Sequence, residues 1–135
     1  MFSRLHSNEG FTLMEVMITS ACFLVVAIGF TQAMLVAMRT HYLSRNYYWA
    51  TCIARNRLQR AWSMSFDSLG MMRETSKHVD RYGNQTSDGR YLRSTIVSNI
   101  TADSVWISVQ VLYPGVPGGG SVVPIEVTTL IKEDM

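Results

Sequence analysis

Apolar and polar positions divide the chain into three regimes. Residues 1–10 are polar and end at Gly10. From Phe11 to Met38 the chain is almost wholly apolar, and Val16 to Met38 contains no Lys, Arg, Asp or Glu. A bilayer core about 30 Å thick takes roughly 20 such residues as a helix, so this run is predicted to span a membrane. One carboxylate, Glu15, stands at its start, five residues past Gly10. Beyond Met38, Leu43, Tyr47, Ala50, Ala54, Leu58 and Ala61 recur at steps of four and three, the spacing of one apolar helical stripe. Phe11 to Ser65 holds no proline and a single glycine, Gly29. One long helix is therefore expected, embedded over 11–38 and amphipathic over 39–69, with Leu69-Gly70 as its stop. Gly29 is its intrinsic weak point.

The remainder, 70–135, reads as a loop followed by a sheet. Met71 to Gly89 is polar and punctuated by glycine, without helical or strand periodicity. Strands are predicted over Arg90–Ser98, Ser104–Tyr113 and Val122–Lys132. The second is clearest: Val105, Ile107, Val109, Val111 and Tyr113 alternate with Ser104, Trp106, Ser108, Gln110 and Leu112. Pro114 to Ser121 has the composition of a hairpin loop. Pro124 cannot donate to a ladder and belongs at a strand start or on an edge. The expected fold class is α+β: a long N-terminal helix packed on a small antiparallel sheet of three to four strands.

Composition narrows the function. At 135 residues there is chain enough for one small domain and an anchor. The net charge of +2 implies no partner by itself, but Arg39, Arg45, Arg55, Arg57 and Arg60 occur with no acid among them. Interleaved with Tyr47, Tyr48 and Trp49, they form a candidate basic face that meets acidic patches of neighbouring subunits or simply solvent or, as a lesser alternative, nucleic acid. Cys22 and Cys52 would lie about 45 Å apart on a continuous helix, beyond disulfide reach. His6, His41 and His78 are scattered, no nucleophile stands beside a base, and Gly118-Gly119-Gly120 opens no helix. No catalysis, metal or cofactor is expected.

Glu15 is the remaining puzzle. An ionised carboxylate inside a membrane span costs at least about 2.5–3.5 kcal/mol and marks a functional site by default. The stretch Gly10-Phe11-Thr12-Leu13-Met14-Glu15 resembles the prepilin-processing motif of type IV pilins and type II secretion pseudopilins. The resemblance covers about the first half of the chain. It implies that a membrane peptidase cuts between Gly10 and Phe11 and that the new Phe11 amine is methylated. It makes Glu15 the family's fifth-position acid. In low dielectric, pairing Glu15 with the Phe11 ammonium of a neighbouring subunit relieves two unpaired charges at once, which would pin the register between helices in a filament.

A secretory signal would instead be cut after its apolar region, and Thr19-Ser20-Ala21-Cys22 lacks the preceding apolar run of a lipoprotein site. The resemblance further implies a subunit anchored in the inner membrane with a periplasmic head, then incorporated into a filament. Its partners would be other pilin subunits, the prepilin peptidase, the inner-membrane assembly platform and lipid. The short head, the missing disulfide and the Trp106-containing strand followed by the returning Pro124-Ile125-Glu126-Val127-Thr128-Thr129 strand resemble a minor component of the initiating or tip complex, in the branch of minor pilin V and minor pseudopilin I. The opposing hypothesis is a single-span anchored protein whose head binds a ligand or DNA.

Overall fold

The computed structural model describes residues 11–101, 103–115 and 123–133. Helix α1 runs without a break from Leu13 to Trp62. Its start is capped: the Glu15 amide donates to the Thr12 hydroxyl at 3.3 Å and to the Thr12 carbonyl at 3.0 Å. Thr12 and Glu15 thus have the spacing of a capping box, and the acid sits in the first turn, where the helix dipole favours it. By its internal contacts the chain divides at Met38, with Arg39 opening the second unit.

In the first unit, residues 11–38, large apolar side chains are bare: Phe11 is 80% exposed, and Phe23, Val25 and Phe30 are each 71% exposed. The few hydroxyls turn back onto their own helix. Thr19 donates to the Glu15 carbonyl at 2.9 Å, Ser20 to Met17 at 2.9 Å and Thr31 to Ala27 at 2.8 Å. Satisfying these groups internally is what a hydrocarbon environment demands. The segment is long and apolar enough to cross a membrane.

In the second unit, four antiparallel strands follow the helix: β1 (Glu74–Val79), β2 (Tyr91–Thr101), β3 (Ser104–Tyr113) and β4 (Val123–Lys132), in the spatial order β1-β2-β3-β4. The alternation expected in β3 is present: Val105, Ile107, Val109, Val111 and Tyr113 are all buried. Together with Val97, Ile125 and Ile131 they form one cluster with Ala50, Ile53, Ala54, Leu58 and Ala61 of α1. Fully burying a side chain such as Ile53 or Ile107 contributes about 1.5–3 kcal/mol. Pro124 lies at the start of β4, paired with Leu112 on an edge strand, as anticipated. Cys22 and Cys52 are both free.

Three expectations need correction. The buried stripe of α1 runs through Asn46, Ala50, Ile53, Ala54, Leu58 and Ala61; Tyr47 is 55% exposed and lies off it. Asn46 tolerates burial because its amide donates to the Pro114 carbonyl at 3.1 Å. The helix stops at Trp62, short of Leu69-Gly70. Ser63 Oγ donates to the Arg60 carbonyl at 2.8 Å, and Ser65 and Ser68 bond each other at 3.0 Å; such local bonds compete with helix continuation. Residues Phe66–Met72, which include Gly70, form a separate 3-10 helix.

The stretch 71–89 is not a structureless connection, because it contains β1. That strand slips register between Glu74 and Lys77 around Ser76, whose φ is 48°. The rest forms a compact turn. Asp80 Oδ1 accepts from the amides of Tyr82 and Asn84, both at 2.9 Å, with Gly83 at φ 86° between them. Within the expected hairpin loop, residues 116–121 lie outside the described residues.

Candidate functional site

The N-terminal motif is seen from Phe11 onward; Gly10 lies outside the described residues. Phe11 and Thr12 precede the helix, while Glu15 stands in its first turn. The carboxylate is exposed, as are the apolar residues around it. The Thr12 cap was not anticipated, although Thr-x-x-Glu before an apolar run is a legible signal.

The five arginines do not act as one face. Arg39, Arg45, Arg55 and Arg60 are exposed, but the Arg57 side chain is only 10% exposed and lies 2.8 Å from Glu74 on β1. Glu74 also accepts from Arg93 Nε at 3.1 Å and Nη2 at 3.0 Å, and from the Gln85 amide at 3.2 Å. Arg93, itself buried, donates its remaining Nη1 to the Gly83 carbonyl at 3.0 Å. This network ties helix, edge strand and turn together. Sequence reading missed it because Glu74 and Arg93 are 19 residues apart.

The aromatics near the arginines pack mainly on one another. Tyr47 meets Tyr113 edge-on, with ring centres 6.3 Å apart; Tyr48 meets Trp49 at 5.6 Å, and Trp49 meets Tyr82 at 6.2 Å. Beside them opens a cleft of about 510 Å³, bordered by Tyr42, Arg45, Trp49, Tyr82, Arg90 and Tyr91. Burial raises the Tyr91 hydroxyl above its ordinary pKa, reinforced by Tyr42 and opposed by Arg45, Arg90 and Arg81. Among the described residues, no group of three or more His, Cys, Asp or Glu side chains could hold a metal ion.

The model of the prokaryotic N-terminal methylation motif matches residues 5–31. That interval contains Gly10, Phe11, Glu15 and the opening turns of the apolar helix. No curated protein and no solved structure matches the chain. The chain thus carries the prokaryotic N-terminal methylation motif at the opening of a long apolar helix, which supports the resemblance to type IV pilins and type II secretion pseudopilins.

Proposed function

We propose that the chain is a minor pilin or pseudopilin, a structural subunit of the initiating or tip complex. It is cut by prepilin peptidase between Gly10 and Phe11, methylated on Phe11, and assembled through its apolar helix from the inner membrane, its head lying in the periplasm. The observation that carries this reading is a helix whose bare apolar surface over residues 11–38 contains one carboxylate, in the first turn. The apolar surface needs lipid or neighbouring helices. Glu15 needs a cation, and the Phe11 ammonium of an adjacent subunit supplies one at the same depth. Phe11 and Glu15 are then the assembly contact, and the exposed arginines Arg39, Arg45, Arg55 and Arg60 are available to acidic partners and the assembly platform.

Replacing Glu15 by Val tests this. The variant should be processed normally, because the cleavage site is intact, yet fail to enter filaments. Filament incorporation at the wild-type level would overturn the pairing. A second reading, an anchored head that binds a ligand or DNA, draws on the aromatic and arginine cleft beside Trp49. It predicts an uncut chain and DNA binding that weakens as salt rises.

A further inference from the structure

The Arg57 side chain is only 10% exposed, and its inaccessible Nε lacks a hydrogen-bond partner among the described residues. Buried polar atoms are almost always satisfied, and an orphan in a native fold points to water or an ion. The nearest carboxylate is already saturated. Glu74 Oε1 takes Arg57 Nη2 and Gln85, while Oε2 takes both Arg93 donors. Arg57 Nη2 also donates to the Met72 carbonyl at 3.1 Å. What remains is an excess of cations: Arg57, Arg60 and Arg93 border one recess of about 380 Å³ in which Glu74 is the one acid among the described residues. Burial lowers the Arg57 pKa against the pull of Glu74, and repulsion from Arg93 and Arg60 lowers it further.

We propose that this recess between α1, β1 and the Asp80–Asn84 turn is an oxyanion site that takes a phosphate or carboxylate group. Arg57 and the exposed Arg60 both line it from the helix and present their guanidiniums to the anion. Guanidinium groups present N–H donors in a planar fork that fits either oxyanion, and Asn56 and Asn84 add polar groups at the rim. An incoming anion relieves the repulsion among the three guanidiniums. The site is separate from the Phe11–Glu15 contact and stands or falls independently of the assembly reading.

The test uses the full-length, 15N-labelled chain in zwitterionic detergent, following the Arg57 Nε–Hε resonance. Inorganic phosphate and acetate are each titrated against chloride at matched ionic strength. A saturable shift with either oxyanion beyond that with chloride is expected. Tighter phosphate binding identifies a phosphate-bearing ligand, whereas acetate binding as tight or tighter identifies a carboxylate. Arg60→Gln should weaken the binding roughly tenfold, while Arg55→Gln, exposed and away from the recess, should leave it unchanged. A response no different from chloride, or Arg60→Gln binding as well as wild type, overturns the site.

Discussion

Arg57 Nη2 lies 2.8 Å from Glu74 Oε1, between side chains only 10% and 13% exposed. This contact anchors the polar edge strand β1 to the helix. Removing one partner of a buried ion pair leaves the other charge unpaired, at a cost of about 3 kcal/mol or more. Glu74→Gln strands two guanidiniums and should lower stability by that amount. Urea unfolding of the full chain in detergent, followed by tryptophan fluorescence, checks it.

Thr95 is fully buried, and its hydroxyl has no partner among the described residues. Valine has nearly the same shape without the oxygen. Thr95→Val should therefore stabilise the head by about 1 kcal/mol, read as a higher urea midpoint with an unchanged slope.

Gly89 is required by close approach. A β-carbon there would sit 2.5 Å from both the nitrogen and the oxygen of Val79, backbone atoms that cannot swing away. Gly89→Ala should cost roughly 1–3 kcal/mol, while Gly70→Ala, with open space around it, should be silent. The same urea titration distinguishes the two.

Asp80 provides a pH dependence. Burial pushes its pKa up, but the Asn84, Tyr82 and Gly83 amides and the Asn84 side chain outweigh it, and the net direction is down. A carboxyl whose folded pKa lies below its unfolded value of about 3.9 adds stability above that value. The contribution is lost as pH falls through the folded pKa. Thermal unfolding between pH 6 and about pH 3 should show the loss, and Asp80→Asn should remove that share of the slope.

Processing is read directly from intact mass. The mature chain should begin with N-methylated Phe11, and replacing Gly10 by Val should leave an uncut precursor. A mature chain still beginning at Met1 would contradict both.

Where burial was one-sided, the sequence was legible. Strand β3 was located to the residue because five inward positions alternate with polar or half-exposed ones. The motif around Glu15 was equally plain, since an acid in an apolar run has few explanations. Strand β1 was hidden because Glu-Thr-Ser-Lys-His-Val has one apolar residue, and only Val79 of the six is buried. Arg57 was misread as surface charge because its acid lies on another element. The helix stop was misplaced because serine side chains, not the glycine, end α1.

The two margins of the sheet carry a consequence for polymers. At one margin β1 is bulged and bears Lys77 and His78; at the other the second residue of β4 is Pro124, which has no backbone N–H to offer. Neither is a good template for a visiting strand. Copies of this head crowded side by side are thus discouraged from zipping into a shared cross-chain sheet, which leaves the helices to set the geometry of any ordered assembly.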